Sequence, residues 1–123
     1  MSTRAGIIIK NEYEEIHFYR HCDGYPKGIM PSLNKFLSWV KSGAIRNNPG
    51  QCAGWLVLIG AAEYGMKLQY KMVNDFGQIE SIEQPTDWQV GSFWPTSNVH
   101  KHGDLRYIYT IDLDKKKITT KKL

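Results

Sequence analysis

The sequence predicts an α+β fold: an N-terminal β-hairpin, two packed helices and then a C-terminal antiparallel sheet. Three observations carry this. Two short strand-like runs open the chain, at residues 5–10 and 15–21. Two apolar segments, each with a proline near its start, follow at residues 31–42 and 49–62. The second half alternates in polarity and ends in lysines. Strands grouped on either side of paired helices favour α+β over a sheet wound with alternating helices.

Each element has its own justification. Residues 5–10 (Ala-Gly-Ile-Ile-Ile-Lys) are rich in β-branched side chains, which suit a strand. Residues 11–14 are polar and turn-like. Residues 15–21 alternate, which places Ile16, Phe18 and Arg20 on one face and His17, Tyr19 and His21 on the other. Asp23-Gly24 and Tyr25-Pro26 then end the strand, because Gly tolerates positive φ and Pro lacks an N–H.

The spacing of Leu33, Phe36, Leu37 and Val40 predicts a helix over residues 31–42 with one buried stripe. Pro31 suits its first turn and Gly43 the position just past its end. The second helix is punctuated by Asn48 as N-cap, Pro49 at the first turn and Gly65 as stop. Its body, residues 52–62, is apolar all round and predicts a buried central helix. Gly54 and Gly60 lower its intrinsic propensity but permit close approach of another backbone.

Residues 67–73 alternate as a strand, and residues 88–94 predict another ended by Pro95. Residues 105–113 form the strongest strand pattern, with Leu105, Tyr107, Tyr109, Ile111 and Leu113 sharing a face. Asp114-Lys115-Lys116 turns the chain into a lysine-rich final strand.

Composition bounds the function classes. A chain of 123 residues with 41% hydrophobic and 23% charged content reads as one folded domain rather than a disordered segment. Aromatics at 12% suit an interface or a lined pocket. The net charge of +4 is concentrated at the end, where Lys115, Lys116, Lys117, Lys121 and Lys122 leave the remainder close to neutral. Those lysines either touch phosphate or blunt an exposed edge strand, and the edge role is favoured over specific nucleic-acid binding. Cys22 and Cys52, with no secretory leader visible, imply a reduced, cytoplasmic protein. The longest apolar run, residues 53–62, is too short to span a bilayer, so no membrane partner is expected. There is no G-x-S-x-G, P-loop, G-x-G-x-x-G or C-x-x-C motif, and the chain is expected to be neither an enzyme nor cofactor-dependent.

The richest chemistry lies in Tyr19-Arg20-His21-Cys22-Asp23-Gly24-Tyr25-Pro26, at a strand end and the turn after it. His17 and His21 sit on one strand face but roughly 13 Å apart, too far to share a metal ion. His21 with Asp23 is the more credible pair, as a turn brace first, then as a ligand contact, and least as a catalytic couple. His100-Lys101-His102-Gly103-Asp104 superficially resembles a metal site, yet a lysine separates the two imidazoles and no Cys pair completes the set, so no metal is expected. Arg20 and Arg106 are strand-borne. Each either pairs with Asp23, Asp104 or Asp112, or clamps a phosphate or carboxylate. Trp88, Phe93 and Trp94 with Tyr107 and Tyr109 form an aromatic set. Tyr107 and Tyr109 suit the core, and Trp88 or Trp94 could stack on a planar base. The expected ligand-binding set is therefore Arg20, His21, Asp23, Tyr25, Trp88, Trp94 and Arg106.

The opening Met1-Ser2-Thr3-Arg4 with its isoleucine strand, the run Tyr19-Arg20-His21-x-Asp23-Gly24-Tyr25-Pro26, and His102-Gly103-Asp104-Leu105-Arg106-Tyr107-x-Tyr109-x-Ile111-Asp112 together resemble a group of small phage and prophage proteins. The resemblance covers both ends of the chain; the middle helices match only in pattern. The layout is also similar to that of counter-defence factors such as the Thoeris anti-defence proteins, which sequester cyclic nucleotide or cyclic ADP-ribose signals without cleaving them. The resemblance implies a class: a homo-oligomeric binding protein for a small anionic nucleotide. The alternative is an inhibitor that docks on a host defence protein through aromatic and lysine-rich surface.

Overall fold

A computed structural model describes residues 2–63 and 92–123. Strand β1 (Ala5–Lys10) and strand β2 (Glu15–Arg20) form the expected hairpin. Helices α1 (Pro26–Ser42) and α2 (Pro49–Ala62) follow. Strand β3 (Trp94–Thr96), a 3-10 turn (Val99–Lys101), strand β4 (Tyr107–Asp112) and strand β5 (Lys117–Lys122) complete the order. The described strands make one five-stranded sheet, ordered β3-β2-β1-β4-β5. The antiparallel β4–β5 pair joins the N-terminal hairpin through a parallel β1–β4 seam in which Ala5 faces Tyr107 and Lys10 faces Asp112.

Strand parity builds the core. Ala5, Ile7 and Ile9 of β1, Phe18 of β2, and Tyr109 and Ile111 of β4 point to the helical face. There they meet Ile29, Leu33, Phe36 and Val40 of α1 and Cys52, Leu56 and Ile59 of α2. The opposite face carries a smaller cluster: Ile8, Tyr19, Val99, Leu105 and Ile108. The 3-10 turn covers it through Val99.

Helix α1 starts five residues ahead of the predicted boundary. Pro26, not Pro31, occupies its first turn, and Ile29 extends the buried stripe backwards. Pro31 lies inside the helix, where it lacks an N–H to donate to the carbonyl one turn earlier. Gly43 closes α1 in the left-handed region at φ 79°, and its N–H reaches the Val40 carbonyl. Helix α2 has the expected Asn48 cap, whose side chain accepts from the Gln51 N–H. It is not buried all round: Trp55 is 40% and Val57 37% exposed. Its buried side is Cys52, Leu56, Ile59 and Gly60, one helical stripe. Gly60 does permit a close approach, since a Cβ there would lie 2.8 Å from Phe93 Cδ2.

Pro95 does not end a strand. It sits inside β3 opposite Phe18, on an edge of the sheet where the missing N–H costs no ladder bond. Leu105 belongs to the smaller cluster rather than to the Tyr107 face, because β4 begins only at Tyr107 and the residues before it do not follow its alternation. The lysine-rich β5 is the other edge strand, in the role expected of its charges. Asp112 accepts the Asp114 and Lys115 N–H groups in the β4–β5 turn, and the Lys115 bond is the main reason its carboxyl titrates below the usual range. The strand expected at residues 67–73, the Gly65 stop and Trp88 lie outside the described residues. Among the described residues no helix is long and apolar enough to cross a membrane.

Candidate functional site

The parallel seam and the hairpin bring three chain segments to one end of the sheet. Ala5 pairs with Arg20 on one side and Tyr107 on the other. Residues 2–4, 21–24 and 103–106 therefore converge there. The Gly24 N–H donates to the Thr3 carbonyl at 2.8 Å, and the Arg106 N–H to the Arg4 carbonyl at 2.9 Å. Tyr109 reaches up from the core and donates its hydroxyl to the Gly24 carbonyl at 2.7 Å. Burial, above all, pushes that phenol up to about 12.

Tyr19 is the hub of the face away from the helices. Its hydroxyl donates to Asp104 Oδ2 at 3.1 Å and lies 3.1 Å from His21 Nδ1. A phenol has one proton, so with that proton given to Asp104 the imidazole must be the donor at Nδ1. Burial and the Asp104 carboxylate both raise the Tyr19 pKa, which keeps the phenol protonated. Asp104 Oδ2 also lies 2.9 Å from Arg4 Nε. That nitrogen is buried and makes no well-aligned hydrogen bond among the described residues, so the contact is an ion pair only. The tyrosine ring stacks on His102 at 4.6 Å, and His102 Nε2 sits 2.9 Å from Thr96 Oγ1. His21 lies nearly parallel to Trp94, with centroids 5.9 Å apart and planes 5° apart. Trp94 itself is 36% exposed.

Beside this network is a hollow of about 340 Å³ lined by Ser2, Thr3, Arg4, Gly103, Asp104, Leu105 and Arg106. Arg4 continues the parity of Gly6 and Ile8 and pairs with Asp104, the partner of Tyr19, and Arg106 reaches the same hollow from the segment just before β4. Arg106 is exposed, and among the described residues its guanidinium has no hydrogen-bond or ion-pair partner.

The sequence-predicted set is only partly brought together. His21 and Trp94 lie at this end of the sheet against Tyr19, and Arg106 lines the hollow there. Arg20 does not. It has the opposite parity, is 2% exposed, and donates through Nη1 and Nη2 to the Glu63 carboxylate at 2.8 Å each. Its Nε donates to the Cys22 carbonyl, and its guanidinium lies 5.0 Å from the Phe93 ring centroid. The partner is Glu63, not Asp23, Asp104 or Asp112. His21 bonds Tyr19 rather than Asp23, which is exposed and holds a left-handed turn at φ 56°. Tyr25 is the residue before α1, and its carbonyl accepts the Gly28 and Ile29 N–H groups. The aromatic set divides between the two faces: Phe93 and Tyr109 enter the core, whereas Trp94 joins Tyr19.

Arg4, Tyr19, His102 and Asp104 complete the site without having been in the expected set. Strand parity carried the signal for Tyr19, which alternates with His21. Arg4 could be placed only through the pairing register of β1. The His100–Asp104 loop does not converge as a metal centre. His102 is held by Thr96, Asp104 by Tyr19 and Arg4, and the His100 ring stands edge-on to His17. Among the described residues no three metal-ligating side chains gather. His17 instead braces the 3-10 turn: its Nδ1 accepts the Val99 N–H at 3.0 Å and its Nε2 faces Glu15 Oε1 at 2.9 Å.

No family model, curated protein or solved structure matches the chain.

Proposed function

We propose that this chain is a non-enzymatic, cytoplasmic, homo-oligomeric binding protein of the phage counter-defence type. It sequesters a small anionic nucleotide, a cyclic nucleotide or cyclic ADP-ribose, without cleaving it. One observation carries the reading: Arg4 and Arg106 line a single hollow together with Asp104, which Tyr19 links to the stacked His21–Trp94 pair. The hollow falls within the ~300–1,000 Å³ range of small-ligand sites. Arg106 supplies the unpaired cation for a phosphate, and its fork suits bidentate contact. Arg4 adds positive charge, tempered by Asp104. Asp104 and the His21–Tyr19 relay accept and orient ribose hydroxyls or base amines, and Trp94 offers a stacking surface worth roughly 1–3 kcal/mol to a base. Arg20 has no part in the contact and acts as the buried brace of the sheet end.

A thermal-shift panel of cyclic dinucleotides, cyclic trinucleotides and cyclic ADP-ribose isomers tests this. A ligand at a hundred times its Kd adds about 2.7 kcal/mol, a rise of several degrees in Tm. The reading expects such a shift and chemically intact ligand on release. Cleaved ligand, or no shift with any member, contradicts it. The alternative, a protein-binding inhibitor of a host defence enzyme, is favoured by one observation elsewhere: two tryptophans on the helical layer stand edge to face around an apolar hollow.

A further inference from the structure

Between the end of α1 and the middle of α2 is a hollow of about 250 Å³ lined by Trp39, Ala44, Ile45 and Trp55. It lies on the helical layer, away from the arginine-flanked end of the sheet. The two indoles meet edge to face with centroids 6.0 Å apart. Ile45 is buried and forms the floor, while Trp55 is exposed and forms a wall. All four lining side chains are apolar, so the hollow suits a single apolar side chain of a partner.

The two helices and their connection carry charge of one sign. Residues 26–62 contain Lys27, Lys35, Lys41 and Arg46 and no aspartate or glutamate. The Lys35 ammonium lies 6.0 Å from the ring centroid of Trp39, one of the lining residues. Lys41 and Arg46 bracket the Ala44–Ile45 wall in sequence. Among the described residues the Arg46 side chain donates only to the neutral Gln51 side chain. Among the described residues none of these four cations is paired with a carboxylate, whereas Arg4 and Arg20 both are.

We infer that this surface docks an acidic protein segment that places one aromatic or leucine side chain between Trp39 and Trp55 while its carboxylates meet Lys35, Lys41 and Arg46. The complementarity of charge selects this occupant. A second copy meeting it through the same face would bring Lys35, Lys41 and Arg46 against their own counterparts, a like-charge juxtaposition that disfavours association. A bilayer surface has no single protruding side chain to fill a concave site, and a nucleic-acid base would find no side-chain acceptor on these walls. The surface stands whether or not a nucleotide binds near Arg106.

Selection of short random peptides on the full chain tests the inference. Enriched peptides are expected to combine Asp or Glu with an aromatic residue or leucine. A synthetic peptide of the enriched sequence should bind about tenfold more weakly to Trp55→Ser and to Lys35→Glu, the loss typical of an interface anchor, and more weakly in higher salt. Both positions are solvent-exposed, and an unchanged Tm verifies folding; if Trp55→Ser fails to fold, Lys35→Glu decides alone. The inference is overturned by no enrichment, by enrichment without acidic residues, by unchanged affinity in the variants, or by binding to phosphatidylglycerol vesicles with no peptide selected.

Discussion

Tyr109 shows how one side chain ties the core to the candidate site. Its ring is buried among β1, β4 and the helices, and its hydroxyl holds the Gly24 carbonyl of the turn that carries His21 and Asp23. Tyr109→Phe should leave that buried carbonyl unsatisfied and cost about 1–3 kcal/mol in urea unfolding at neutral pH. The pH dependence has a definite sign. The folded pKa of about 12 lies above the ordinary value of 10.0, so the contribution is complete below pH 10 and is lost as pH rises through 12. The phenylalanine variant should lose this part of the alkaline decline; an alkaline limb identical to that of the parent would exclude Tyr109 as its source. Arg20 was legible at this scale only in part. An arginine on a strand needs an anionic partner when buried, but the partner, Glu63, lies 43 residues away at the end of α2. No local spacing could point to it.

The two glycines of α2 separate packing from propensity. A Cβ at Gly60 meets Phe93 at 2.8 Å and Ser92 N at 3.2 Å, whereas at Gly54 none of the described atoms lies within 4 Å. Gly60→Ala should therefore destabilise by about 1–3 kcal/mol through overpacking. Gly54→Ala should stabilise by roughly 0.5–1 kcal/mol through helix propensity. Chemical denaturation of both variants checks the contrast, and equal effects would contradict the packing of α2 against Phe93. The element boundaries show where sequence pattern is informative. Both strands of the hairpin, the Asn48 cap and the Gly43 terminus follow from local chemistry and are present as read. The early start of α1 is not visible in the 31–42 stripe, because Pro31 reads as a first-turn residue until Ile29 is known to be buried. Pro95 misleads in the same way, since proline ends an interior strand but is tolerated at an edge.

The whole molecule is organised by a sheet with two differently used faces. One face is sealed by helices and takes Arg20 inward; the other presents Tyr19, His21 and Trp94, with Arg4 and Arg106 at its end. Alternation along residues 15–21 already put Arg20 and His21 on opposite faces, which divides the YRHCDGYP run between fold and site. What the sequence did not disclose was the parallel β1–β4 seam, because parallel partners are joined through long connections and leave no turn signature. That seam is what places Arg4 beside Arg106. In the proposed division of labour Arg20 braces the fold and Arg106 holds the ligand, and calorimetric titration of Arg106→Ala with the nucleotide that stabilises the parent protein separates the two roles. Arg106→Ala should keep its Tm without ligand and lose affinity at least about tenfold, the loss of a charge-assisted bidentate contact. Full affinity in Arg106→Ala would contradict that division.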